Sequence, residues 1–187
     1  MNVYDFDKTI FYPDSSATFL LTLLKKNPRV FRYELDAILE GFLDYAQSGF
    51  TDANAVKEGC FRTLRYVSDL DYEIESFWSR NMFRIGEWYL ERRKDDDLII
   101  SASPEFLLRP ISEKFGFRLI ATPYSTATGR LTGLNNHDIE KRRRFYKEYP
   151  GEKIDEFYSD SYSDLPLAEI ADKAFIVKKG IISPWKF

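Results

Sequence analysis
Cysteine occurs once, at Cys60, so no internal disulfide framework can staple this chain. Cys60 falls on the apolar side of a helical pattern and is expected as a small core residue. Charge of one sign is also scarce. A net charge of -3 over 187 residues gives no basic surface, so nucleic acid is not an expected partner. Long hydrophobic runs are missing. The longest, Ala17 to Leu24, is interrupted by threonine and is too short to span a bilayer, so stable membrane insertion is not expected. Acidic residues follow Met1 almost at once, which does not fit a secretory signal. The expected setting is cytoplasmic, and nothing fixes an oligomeric state. What the chain has in quantity is aromatic residues, with 16 Phe and 12 Tyr, and 44% hydrophobic residues suffice for a core.

Three textures follow one another. Residues 1–13 look like a strand and its loop. From Ser15 to about Leu90 the pattern is helical, with Ser15 or Ser16 placed to cap the first helix. Phe31, Leu35, Ile38, Leu39 and Phe42 keep the three-and-four spacing of one buried face. Ala53, Val56, Cys60, Phe61 and Leu64 make another. A long helix is expected from Asp71, with Ile74, Phe77, Trp78, Met82, Ile85 and Tyr89 inward. Its aromatics are most simply the packing of a helical bundle. After Asp97 the texture changes again. Strands are expected at Leu98–Ile100, Phe117–Pro123, Asp155–Ser159 and Ala174–Val177, with helices between them and a hairpin in Thr126 to Leu134. Strand alternating with helix means a parallel sheet. The fold expected is therefore α/β: a three-layer, Rossmann-like core of residues 1–13 and 91–187, with a helical cap of residues 14–90 inserted after the first strand.

The chemistry gathers at strand ends, where open α/β sheets bind ligands. Asp5 and Asp7 end the first strand in V-Y-D-F-D-K-T, Ser101 ends the second, and Asp160 and Asp164 follow a later one in Y-S-D-S-Y-S-D. Carboxylates meeting at one edge repel unless a cation is held between them. Mg²⁺ suits a few carboxylates plus water and phosphate, whereas no single loop supplies the ligands calcium prefers.

D-F-D-K-T, then L-I-I-S-A-S, then Lys141 at a helix start, then Y-S-D-S-Y-S-D resembles the four ordered motifs of the haloacid dehalogenase superfamily of phosphohydrolases. The helical insertion resembles the cap of its phosphoserine phosphatase-like branch. The resemblance spans nearly the whole chain. It implies a Mg²⁺-dependent phosphatase of a small-molecule phosphate ester, working through an aspartyl-phosphate. Asp5 would be the nucleophile and Asp7 the general acid and base, with a raised pKa. Ser101 and Lys141 would bind the phosphoryl group, with Thr9 fixing the loop. Asp5, Asp7 through its carbonyl, and Asp160 would hold the metal, and Asp164 would support it from behind. Ser103 is the other candidate for the serine; Ser101 is preferred because it directly follows the apolar run. Asp14 is either a helix cap or a contact for a cationic group on the substrate. His137, the single histidine, is expected as an ordinary loop residue. Two departures concern Ala102-Ser103, where the branch carries glycines, and Asp138, where a glycine is common; both put phosphoserine as substrate in question. Other readings are a phosphotransferase, a phosphatase of lipid head groups or sugar phosphates at a membrane surface, and a non-catalytic binding protein.

Overall fold
The computed structural model describes residues 1–49 and 54–187, so Ala53 lies outside the described residues. Six strands form one sheet in the order β3-β2-β1-β4-β5-β6. They are β1 (Asn2–Tyr4), β2 (Leu98–Pro104), β3 (Arg118–Thr122), β4 (Ile154–Ser159), β5 (Ala171–Lys178) and β6 (Ile181–Pro184). All neighbours run parallel except β5 and β6, which are antiparallel. Short β6 was not expected from the sequence; the Lys179-Gly180 turn folds it back as an edge strand that carries a proline, as edge strands can.

Central β1 is the shortest path to a buried parallel strand. Both of its faces are covered, so Val3 and Tyr4 are apolar on opposite sides. Val3 joins Leu98, Ile100, Ile120 and Phe157 under α8 (Ile139–Glu148) and α9 (Leu165–Ala168). Tyr4 joins Ile99 and Tyr158 on the other face, under α7 (Glu105–Phe115). Helices on both faces of the sheet make three layers, as expected. Strand order also reverses at β1, with β2 on one side and β4 on the other. Such a switch point opens a crevice at the carboxyl ends of the strands.

Among the described residues, six α-helices lie between β1 and β2: α1 (Ser15–Lys26), α2 (Pro28–Arg32), α3 (Leu35–Gln47), α4 (Asn54–Phe61), α5 (Leu70–Asn81) and α6 (Glu87–Arg92). Most of them share the core of the sheet. Phe19 and Leu23 of α1, Phe61 of α4, Phe77 and Trp78 of α5 and Tyr89 of α6 belong to one apolar cluster with Tyr4, Ile99 and Leu107. The Trp78 indole N–H also donates to the Leu107 carbonyl at 2.6 Å, pinning α5 to α7.

Several local expectations are corrected. Asp14, not Ser15 or Ser16, caps α1, accepting from the Ala17 N–H at 2.9 Å. The long helix expected from Asp71 through Tyr89 ends at Asn81, because Ile85 bridges to Phe11 and Gly86 N–H bonds the Ile10 carbonyl at 2.7 Å. The hairpin expected in Thr126 to Leu134 is a turn closed by the Tyr124–Leu131 bridge, where the Ser125 N–H donates to the Arg130 carbonyl at 2.9 Å and the Thr132 N–H to the Pro123 carbonyl at 3.0 Å. The face of α3 differs most. Leu35, Leu39 and Phe42 are 50%, 52% and 53% exposed, while Ile38 and Gly41 are buried. Close approach chose that face. A Cβ on Gly41 would lie 2.6 Å from the Ala55 carbonyl oxygen, and one on Gly59 2.7 Å from the Ala37 carbonyl oxygen.

That crossing gives a direct test. Gly59→Ala must push two backbones apart and should cost about 1–3 kcal/mol, measurable as a fall in thermal midpoint. An unchanged midpoint would mean that α3 and α4 are not held by this contact.

Candidate active site
The first strand stops at Tyr4, and the chain turns through Asp5-Phe6-Asp7-Lys8-Thr9 at the switch point. Phe6 and Phe11 bury on either side of this loop with stacked rings 5.8 Å apart, which fixes it to the core. Lys8 sits at φ 61°, a left-handed conformation that costs a non-glycine residue roughly 1–2 kcal/mol. The kink presents Asp5 and Asp7 to one pocket of about 200 Å³, whose lining also includes Ser101, Ser103, Lys141, Asp160 and Asp164.

At its centre lies a buried ion triad. The Lys141 ammonium donates to Asp5 Oδ1 at 2.7 Å and to Asp164 Oδ2 at 2.8 Å, with Lys141 and Asp164 each 2% and Asp5 7% exposed. Burial works against the charged lysine, but Asp164 and Asp5 outweigh it, so its pKa is raised and it stays an ammonium. Ser159 donates to the same Asp164 Oδ2 at 2.7 Å. The other Asp164 oxygen, Oδ1, is buried without a hydrogen-bond partner among the described residues.

Asp5 is raised to about 7, chiefly by burial; Lys141 opposes this and Asp164 adds to it. Its second oxygen accepts from Thr9 Oγ1 at 3.1 Å, and the same Thr9 oxygen accepts from the Asp160 N–H at 2.8 Å. Thr9 thus braces the β1 loop against the end of β4 and is not among the residues lining the pocket. The Asp160 carboxyl is raised by burial, against the pull of Lys178 and Lys8.

Asp7 stands across the pocket from this triad chemistry. Burial and then Asp14 push its pKa up to about 6. The Ser15 N–H holds its Oδ1 at 2.6 Å, and the Ser103 hydroxyl donates to its Oδ2. Ser103 also pairs with Ser16 Oγ at 2.7 Å and Ser15 Oγ at 3.3 Å. The preference for Ser101 alone therefore missed a residue. Ser101 Oγ is engaged by the Ser103 N–H at 3.0 Å, and both serines border the pocket. The signal was present: residues two apart on a strand share a face. Asn136 was also missed. Fully buried, it donates to the carbonyls of Ser101 at 2.9 Å and Ile120 at 3.0 Å, tying the ends of β2 and β3 together just before α8.

Asp14 caps α1 and also lines the pocket, as do Lys57 from α4 and exposed His137. Lys57 had no sequence signal, because α4 reaches the pocket only through tertiary packing. Cys60 is half-buried away from this lining, with its thiol pushed up by burial.

Removing the lysine isolates two buried carboxylates. Lys141→Met, in EDTA, is expected to lose about 3–5 kcal/mol near pH 8. Asp5, already raised by burial, would then protonate more readily folded than unfolded. A folded pKa above the unfolded one makes the loss shrink as pH falls toward 5 and grow as it rises. Urea unfolding at both pH values checks this; equal losses would contradict the triad's electrostatic role.

Comparison with known proteins agrees with this arrangement. A family model described as haloacid dehalogenase-like hydrolase matches residues 3–169. A histidinol-phosphatase of Neisseria meningitidis serogroup C (strain 8013) is 27% identical over 94% of this chain and 88% of its own length. A protein of unknown function from Bordetella pertussis Tohama I has the same fold, with a TM-score of 0.75 at 21% identity, covering 95% of this chain and 89% of that one. A phosphoserine phosphohydrolase-like protein from Francisella tularensis subsp. tularensis SCHU S4 gives a TM-score of 0.55 at 19% identity, over 97% of this chain and 89% of its own. Among the described residues, no helix is long and apolar enough to cross a membrane. With four motifs converging on one strand-end pocket and the family model spanning nearly the whole chain, the protein belongs to the haloacid dehalogenase-like hydrolases.

Proposed function
We propose that this hydrolase is a Mg²⁺-dependent phosphatase of a small-molecule phosphate monoester, acting through an aspartyl-phosphate on Asp5. The observation that carries the reading is the placement of two differently held carboxylates. Asp5 is paired with a buried ammonium, while among the described residues Asp7 is held by Ser103 and Ser15 and forms no ion pair. One suits a nucleophile and the other a proton carrier.

In this reading an Asp5 oxygen attacks phosphorus, and the P–O bond to the leaving alcohol breaks. The alkoxide takes the proton of Asp7. Asp7, now a carboxylate, then draws a proton from water as that water attacks the phosphoryl-Asp5 and releases inorganic phosphate. Lys141 balances charge on Asp5 and on the phosphoryl oxygens, and the two strand-end serines border the place those oxygens would occupy.

The donor set fits a hard cation. Asp5, Asp7, Asp14, Asp160 and Asp164 face only Lys8, Lys57 and Lys141 around the pocket, before any phosphate adds its own charge. The buried, unpartnered Asp164 Oδ1 also suits support of a cation's water shell. Among the described residues, no three acidic, histidine or cysteine side chains form a complete cage. That accords with Mg²⁺, which keeps several waters and takes one or two carboxylates. Asp5, Asp160 and the Asp7 carbonyl would hold it, and bound there it would supply neutralisation of phosphate charge.

For the substrate, the pocket's small volume of about 200 Å³ favours a compact ester. The Neisseria relative is named a histidinol-phosphatase, and an amino-alcohol phosphate carries the cation that Asp14 would meet. Residues 1–13 and 91–187 serve as the core in this reading, with 14–90 as the cap. Any closing movement would fall to α3 and the start of α4, since the other insertion helices share the core of the sheet.

The test is hydrolysis of p-nitrophenyl phosphate and histidinol phosphate with Mg²⁺ and with EDTA. Asp5→Asn should lower kcat at least about 10³-fold, and Asp7→Asn about 10²–10⁴-fold. Asp14→Ala should slow amine-bearing esters selectively. Activity that survives EDTA or Asp5→Asn would refute the mechanism, and an equal loss on all esters would refute the role of Asp14.

A further inference from the structure
A second cavity, of about 520 Å³, lies beside the catalytic loop, walled by the loop itself, by residues 84–88 and by the β5–β6 turn. Its size is within the roughly 300–1,000 Å³ of small-molecule sites. Its chemistry is unlike that of the catalytic pocket. Lys8, Arg84 and Lys179 line it against the single acid Glu87, in a chain whose net charge is -3. Tyr12, Trp88 and Ile181 supply a flat, apolar wall. The Trp88 ring is held in place by Tyr158, with centroids 5.6 Å apart, and by Tyr4 at 6.2 Å.

Two further observations mark the cavity. Arg84 lines the cavity with its guanidinium 5.5 Å from the Phe83 ring centroid, and its buried Nε has no hydrogen-bond partner among the described residues. Of the three described non-glycine residues with positive φ, two are Lys8 at 61° and Lys179 at 51°, and both line this cavity. Strained backbone persists where its surroundings over-determine it, and such residues gather at ligand clamps. Here two lysines from different elements line one opening.

We propose that this cavity is a binding site for a small organic anion with a planar apolar body, distinct from the catalytic pocket. The anionic group would meet Lys179, Lys8 and Arg84, while the ring would lie along Trp88 and Ile181. Lys8 borders both cavities, and Thr9, which lines this one, bonds the nucleophile Asp5.

Naphthalene-1-sulfonate serves as the probe, because it has the ring and the charge but no phosphoryl group to transfer. Titration calorimetry on the whole chain should give one saturable site. Lys179→Glu and Ile181→Asp, both at exposed positions, should each weaken binding at least about tenfold, and circular dichroism should show both variants folded. Asp5→Asn should leave the affinity within about twofold. Absence of saturable binding to the unsubstituted protein would overturn the proposal. So would binding that survives both cavity substitutions, or that shifts with Asp5→Asn, since either places the anion in the catalytic pocket.

Discussion
One ammonium group, that of Lys141, makes the catalytic edge of this protein possible. Two carboxylates and a lysine are taken almost completely out of water, and each would be costly alone. Together they form a triad whose geometry is fixed by three separate elements: the β1 loop, the first turn of α8 and the turn after β4. The arrangement works only if those elements meet within hydrogen-bonding distance. The sheet order ensures this, because β1 lies beside both β2 and β4 at the switch point. Asn136 and Thr9 then lock the strand ends to one another.

Asp7 is placed by a different part of the chain. Its partners Ser15 and Ser103 come from the first helix of the insertion and from β2, so the insertion does more than cover the pocket. It helps set the environment of Asp7. Burial and nearby Asp14 favour the protonated form, while the Ser15 amide and Ser103 hydroxyl favour the carboxylate. A group that must give a proton in one half of a reaction and take one in the other is served by that balance. The shared core of α1, α5 and the sheet keeps the balance rigid.

Much of this was legible in the sequence, and for identifiable reasons. Strands buried on both faces read as plain apolar runs, so β2 announced itself as Leu98-Ile99-Ile100. Acidic residues placed directly after such runs marked the reacting edge. Even an oddity was informative. Asp138, read as a departure from the glycine of the resembled branch, adopts φ 52°, a conformation glycine takes without strain. Other features were hidden. The periodicity of α3 pointed to one face that included Leu35, Leu39 and Phe42, but these are exposed, and close approach at Gly41 and Gly59 turned Ile38 and Gly41 inward instead. Ser103 shared its strand face with Ser101, yet its bond to Asp7 depends on where α1 lies. Lys57 and the cavity behind the catalytic loop arise wholly from tertiary placement.

The central claim is that Asp5 carries the phosphoryl group. The most direct measurement is the intact mass of Asp7→Asn after rapid acid quench during turnover of p-nitrophenyl phosphate with Mg²⁺. That variant should form the acyl phosphate and lose it slowly, because the base for the water step is gone. A species heavier by one phosphoryl group, mapped to Asp5 and absent when Asp5 is also changed to Asn, is the predicted result. Turnover with no phosphorylated protein, or a phosphoryl group on any other residue, would contradict the account.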